Sequence, residues 1–112
     1  MILWHNPRCS KSRAAMALLE ERGVPVKVRR YLEDAPTLDE LTALQQLLGL
    51  PAIEMMRTGE AVFREMSLSK HDDDATLLAA MAQEPKLIER PVFIASGRAV
   101  IGRPPERVLE LL

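Results

Sequence analysis

The chain has 112 residues, 47% of them hydrophobic, with 15 Lys and Arg against 16 Asp and Glu for a formal charge of -1. That length supports one hydrophobic core and is too short for two independent ones, and the near-neutral balance excludes a global basic field of the kind that drives nonspecific nucleic-acid binding. No apolar stretch approaches the ~20 residues that span a bilayer, the N-terminus lacks a basic region followed by an apolar one, and the single cysteine, Cys9, cannot staple its own chain; a soluble cytoplasmic domain is expected.

Ile2-Leu3-Trp4 is a short apolar run that reads as a buried strand. The segment His5-Asn6-Pro7-Arg8-Cys9 has loop and cap character, and residues 10–22 read as a helix with Ala14, Ala15, Leu18 and Leu19 on one face, stopped by Gly23. After Pro25, residues 26–31 form a plausible second strand, so the chain opens with a strand, helix, strand unit whose crossover is expected to be right-handed. Thr37 and Glu40 match a capping box, and Leu38, Leu41, Leu44, Leu47 and Leu48 make an apolar stripe up to Gly49. Shorter helical pieces are predicted over 51–56 and 60–66, and a longer helix from near Asp72-Asp73-Asp74 to a point before Pro85. Val92-Phe93-Ile94-Ala95, a Ser96-Gly97 turn and Arg98-Ala99-Val100-Ile101 read as a hairpin. Gly102-Arg103-Pro104-Pro105 opens a final helix that runs to Leu112, with proline near its first position.

This order resembles an α/β thioredoxin-like fold, a mixed sheet with a helical insertion after the second strand. The reading is one domain over residues 1–112, with the thioredoxin-like core in 1–33 and 86–112 and the insertion in 34–85. Such a fold puts its reactive cysteine at the end of the first strand, where Cys9 lies. Cys9-Ser10-Lys11-Ser12 has the C-x-x-S form, a redox C-x-x-C pair with serine in the second place. Arg90-Pro91 stands directly before the third strand, where the fold places a cis-proline.

A loop that leaves a strand and opens a helix aims free backbone N–H groups at its tip, which lowers a thiol pKa and attracts anions. Cys9 is placed there as a nucleophile. Free cysteine is more often an inert small hydrophobe, but Asn6, Pro7, Arg8, Ser10, Lys11 and Ser12 are not the neighbours of an inert core thiol. His5, four residues back, either tunes the thiol or ends the strand as a satisfied imidazole. Cys9 is followed by Arg13 at C-x3-R, so the C-x5-R loop of a thiol phosphatase is absent. One cysteine with the distant His5 and His71 gives no zinc ligand set, His71-Asp72-Asp73-Asp74 reads as a solvated loop capping the next helix, and Met55, Met56, Met66 and Met81 read as core filler. Arg57, Arg90 and Arg103 each stand at a break between elements. Weakly paired surface charge would explain any one of them, and explains all three together less well.

These residues resemble the glutaredoxin-linked arsenate reductases over nearly the whole chain, through His5-Asn6-Pro7-Arg8-Cys9, Met56-Arg57-Thr58, Pro85-Lys86-Leu87-Ile88-Glu89-Arg90-Pro91 and Ile101-Gly102-Arg103-Pro104-Pro105. The resemblance implies Cys9 as catalytic nucleophile, His5 as the residue that influences it, and Arg57, Arg90 and Arg103 as the arginines that bind the oxyanion. It further implies arsenate as substrate, glutathione as co-substrate and glutaredoxin as recycling partner, with no bound cofactor or metal and no nucleic-acid or membrane partner. Ser10-Lys11 replace the Gly-Thr of the best-studied members. Two other readings share the fold: a thiol-disulfide or glutathione-dependent oxidoreductase without arsenate activity, and a redox-sensing regulator that binds RNA polymerase. The regulators rely on a C-x-x-C disulfide switch, which Ser12 removes here.

Overall fold

A computed structural model describes all of residues 1–112, which divide into two compact units: residues 1–34 with 90–112, and residues 35–89. No helix is long and apolar enough to cross a membrane.

The first unit is built on a four-stranded mixed sheet. Its strands are β1 (Ile2–Trp4), β2 (Lys27–Arg29), β3 (Val92–Ala95) and β4 (Arg98–Ile101), in the order β2-β1-β3-β4. β1 runs parallel to β2, joined to it through α1 (Ser10–Glu21), and antiparallel to β3. With the β3-β4 hairpin this is the thioredoxin-like arrangement. Ser96 and Gly97 both have positive φ, 54° and 71°, as a tight two-residue hairpin turn requires. Leu3 lies opposite Phe93 and Phe93 opposite Val100, so one row of side chains crosses the sheet. That row packs with Ala15 and Leu19 of α1 and with Val108 and Leu111 of the C-terminal turn. Each large apolar side chain so buried contributes roughly 1.5 to 3 kcal/mol.

Several details depart from the pattern in the sequence. β2 spans three residues rather than 26–31, because the Arg30 carbonyl accepts the N–H groups of Glu33 and Asp34 at 3.0 and 2.9 Å and turns the chain. On α1, Ala14 is exposed while Ser12 is fully buried, so the inward face carries a hydroxyl. The final helix has 3-10 geometry over Pro105–Leu111 and begins just after Pro104. Pro105 has no N–H to enter a helical ladder, and Arg107 N–H bonds back three residues to the Pro104 carbonyl.

The second unit is helical. α2 (Leu38–Leu48) starts at a complete capping box: Glu40 N–H donates to the Thr37 hydroxyl and Thr37 N–H to the Glu40 carboxylate, each at 3.1 Å. It ends at Gly49 in the left-handed region. Leu41 and Leu44 are buried, whereas Leu38 and Leu47 stay 45% and 40% exposed, so the packed stripe is narrower than the leucine pattern. A 3-10 turn at Ala52–Met55 and the short helix α3 (Ala61–Glu65) follow. α4 (Asp74–Gln83), which packs on α2, is capped by Asp73, whose carboxylate accepts Thr76 N–H at 2.8 Å. Asp74 then accepts from the Gln45 side chain at 2.7 Å and from Ala52 N–H at 3.2 Å, tying α4 to its neighbours. After a 3-10 turn at Pro85–Leu87, Ile88 pairs with Met56, and Arg57 N–H donates to the Leu87 carbonyl at 2.8 Å.

Candidate active site

In the first unit, strand directions bring the loop, Arg90 and Arg103 to one end of the sheet's strands. β1 ends there and leads through His5 to Cys9. β3, antiparallel to β1, begins there behind Arg90 and Pro91. β4, antiparallel to β3, ends there and leads to Gly102 and Arg103. Gly102 N–H donates to the Pro91 carbonyl at 2.8 Å, and Arg103 Nη1 donates to the Arg90 carbonyl at 3.1 Å. The Arg90–Pro91 and Arg103–Pro104 peptide bonds are both cis.

Cys9 is the N-cap residue of α1, with extended φ and ψ of -94° and 123°. A cap side chain faces the N–H groups two and three residues on, here Lys11 and Ser12. The thiol makes no capping hydrogen bond; its ionised form draws on these donors. Burial opposes ionisation, but the Ser12 N–H, the Arg90 guanidinium and the Lys11 N–H outweigh it, and the Cys9 pKa lies below its ordinary value. Cys9 as a whole is buried, with 8% of its surface exposed.

The loop is held from below. Asn6 carbonyl accepts Cys9 N–H at 3.0 Å, Asn6 Oδ1 accepts Arg8 N–H at 3.0 Å, and Arg13 Nη1 donates to the Pro7 carbonyl at 3.0 Å. His5 Nδ1 and Ser12 Oγ share a buried hydrogen bond of 2.6 Å, and Asn6 N–H donates to the same hydroxyl at 3.0 Å. Burial, with the charges of Arg30 and Arg13, lowers the His5 pKa, which keeps the ring neutral near pH 7. His5 therefore reaches Cys9 by way of Ser12. In the sequence Ser12 reads as a neighbour of the thiol and the replacement for a resolving cysteine; its place on the apolar face of α1, with Ala15 and Leu19, is the signal that it is buried.

Arg57 belongs to the second unit. Its guanidinium pairs with Glu60 at 3.2 Å and with Glu89 at 4.0 Å, and it is partly exposed. The structure thus brings Cys9, His5, Arg90 and Arg103 to one end of the sheet in one unit, and puts Arg57, ion-paired, beside the Met56–Ile88 bridge of the other.

A thioredoxin-like domain with one thiol at a helix N-cap and two arginines before the adjoining cis-prolines defines a class of cysteine site flanked by guanidinium groups. The chain belongs to the ArsC family, whose pattern matches residues 4–111. It is 45% identical to an arsenate reductase of Neisseria meningitidis, covering 98% of this chain and 96% of that one. It is equally identical, at 45%, to the uncharacterized protein YfgD of Escherichia coli strain K12, covering 98% and 94% of the two chains. Among solved structures, an arsenate reductase from Vibrio cholerae superposes with a TM-score of 0.95 at 49% identity, covering 99% of this chain and 96% of that one.

Proposed function

We propose that this protein reduces arsenate to arsenite, with glutathione as the reductant and glutaredoxin as the partner that restores Cys9. The observation that carries the reading is Cys9 at the N-cap of α1 with Arg90 beside it, a thiolate poised where an anion is also welcome. Bringing a thiolate to an oxyanion sets two negative charges together, and fixed donors must offset that repulsion. Arg90, Arg103 and the N–H groups of the loop are the donors at this end of the sheet, and Arg57 joins them in the proposal through the family resemblance.

In the first step the Cys9 thiolate attacks arsenic and one arsenate hydroxyl leaves as water with the proton of another, giving a Cys9-linked As(V) adduct. In the second, the sulfur of a glutathione bonds to Cys9 Sγ while the Cys9–arsenic bond breaks. The electron pair of that bond remains on arsenic, which departs as arsenite carrying the glutathione proton. Cys9 is left in a mixed disulfide with glutathione. With Ser12 in the C-x-x-S position and no other cysteine in the chain, this disulfide cannot be resolved internally. Thiol-disulfide exchange with glutaredoxin returns the free thiol, so each arsenate consumes two external thiol equivalents.

The test is arsenate-dependent NADPH oxidation in the presence of glutathione, glutaredoxin and glutathione reductase, run beside a low-molecular-weight disulfide substrate. Arsenate turnover that is lost in Cys9→Ser supports the proposal. Turnover of the disulfide alone would replace it with a thiol-disulfide oxidoreductase.

A further inference from the structure

In the second unit the Arg57 guanidinium lies between two carboxylates of its own unit, with Nη1 3.2 Å from Glu60 and Nε 4.0 Å from Glu89. We infer that Glu60 is a lock on Arg57: the arginine takes an oxyanion only in exchange for the Glu60 carboxylate, so this residue sets how tightly the anion is held. The inference rests on the reading of Arg57 as one of the oxyanion-binding arginines, and it makes Glu60 a positioning residue that acts through Arg57.

Geometry is the first argument. A guanidinium offers an oxyanion two edges, Nη1 with Nη2 at its tip and Nε with Nη2 along its side. Glu60 stands at one end of the tip edge and Glu89 at one end of the side edge, so a carboxylate already meets each of them. The two carboxylates are carried differently. Glu89 follows the Met56–Ile88 bridge, and its N–H donates to the Met55 carbonyl at 2.9 Å, while Arg57 N–H donates to the Leu87 carbonyl at 2.8 Å. Glu60 comes from beyond the Thr58-Gly59 turn, at the N-cap of α3, and its N–H reaches the Arg57 carbonyl only at 3.5 Å. Its side chain makes no capping hydrogen bond to α3, so leaving Arg57 breaks one ion pair and no cap.

Charge is the second. Two carboxylates around one guanidinium leave a net negative charge, which repels an incoming oxyanion for as long as both stay. The Arg57 and Glu60 side chains are 29% and 32% exposed, and a pair so open to solvent is weak by itself. Proximity strengthens it: a carboxylate three residues away is presented to Arg57 at a high effective concentration, which a dilute monovalent anion does not match. A multiply charged oxyanion with oxygens for both Nη groups does. Because the same pair is broken whatever the anion, the lock weakens every anion at Arg57 by the same factor. Arsenite is uncharged at neutral pH and has no such hold on the guanidinium, so Glu60 retakes Arg57 as the product forms.

The experiment titrates the full chain calorimetrically with sulfate, an unreactive tetrahedral dianion, and with arsenate. Glu60→Gln keeps the size of the side chain and removes its charge. It should tighten both anions alike, by about three- to tenfold, and lower the KM for arsenate by the same factor with kcat within about twofold of the parent. Glu65→Gln, the same charge change within α3, should leave both affinities at the parent value. In an Arg57→Ala background the effect of Glu60→Gln should vanish, since the two residues act as one pair. Unchanged or weaker binding in Glu60→Gln, equal tightening in Glu65→Gln, or tightening that survives without Arg57 would overturn the lock while Arg57 keeps its place. Arg57→Ala that binds both anions as the parent does would instead remove Arg57 from the oxyanion site, and the lock with it. Because sulfate is not reduced, tighter sulfate binding without any arsenate turnover would count against the reductase reading and uphold the lock.

Discussion

His5 and Ser12, seven residues apart, meet in a buried hydrogen bond of 2.6 Å that joins the end of β1 to the first turn of α1. The same Ser12 presents its backbone N–H to Cys9, so one residue connects the imidazole to the thiolate without the two touching. Removing the hydroxyl in Ser12→Ala leaves the His5 ring nitrogen and the Asn6 N–H without this partner, at a cost of about 1 to 3 kcal/mol in stability. It should also loosen the donors at Cys9. Iodoacetamide modification followed against pH is expected to show a higher thiol midpoint in Ser12→Ala than in the parent chain. An unchanged midpoint would mean that the Ser12 hydroxyl supports the fold alone.

The pH dependence of stability has a defined sign. The folded-state pKa of His5 lies below its ordinary value of 6.5, through burial first and the charges of Arg30 and Arg13 second. As pH falls below 6.5, the unfolded chain takes up a proton that the folded chain refuses, and folding stability declines until the lower folded value is passed. Above 6.5 the contribution is present in full. Urea midpoints measured from pH 7.5 down to 5 should fall more steeply for the parent than for His5→Gln. Parallel curves would remove His5 as the cause.

The arginines separate by unit and by effect. If each makes a charge-assisted hydrogen bond to the anion, Arg57→Ala, Arg90→Ala and Arg103→Ala should weaken arsenate binding by about 1.5 to 3 kcal/mol, roughly ten- to a hundredfold. Arg98→Ala serves as the control. Arg90→Ala alone should also raise the Cys9 midpoint, since Arg90 favours the thiolate directly. Calorimetric titration with arsenate gives the ranking, and four equal small losses would reduce all of them to surface charge.

Gly102 sits where no side chain fits. A Cβ built there would lie 2.8 Å from Pro91 Cγ and 3.1 Å from Val108 Cγ1. The proline ring has little freedom to withdraw, so Gly102→Ala should cost about 1 to 3 kcal/mol as overpacking. It should also disturb Arg90 and Arg103, which flank the contact in sequence. Thermal unfolding and thiol reactivity are expected to fall together in this variant, whereas Gly59→Ala, with open space around it, should leave thiol reactivity unchanged.

What was legible in the sequence was local. The capping box at Thr37 and Glu40, the Ser96-Gly97 turn and the loop around Cys9 each announce themselves through chemistry that acts over a few residues. The strand-helix-strand order was readable for the same reason. Contacts between distant segments were not. Nothing near Ser12 in sequence tells that its hydroxyl lies against His5, nothing near Gly102 tells that Pro91 approaches it, and the cis bond at Arg103–Pro104 has no signature of its own. The leucines of α2 show the opposite error: five fit the stripe, but burial is settled by what packs on the helix, and Leu38 and Leu47 are left exposed.

The most direct test of the account is the mass of the intact protein during turnover. With arsenate and glutathione present and glutaredoxin withheld, the chain should accumulate one glutathione on Cys9, the only thiol it has. Adding glutaredoxin should return the unmodified mass as arsenite continues to form. Sustained arsenate reduction with Cys9 unmodified throughout, or with thioredoxin as the sole source of thiols, would contradict the mechanism.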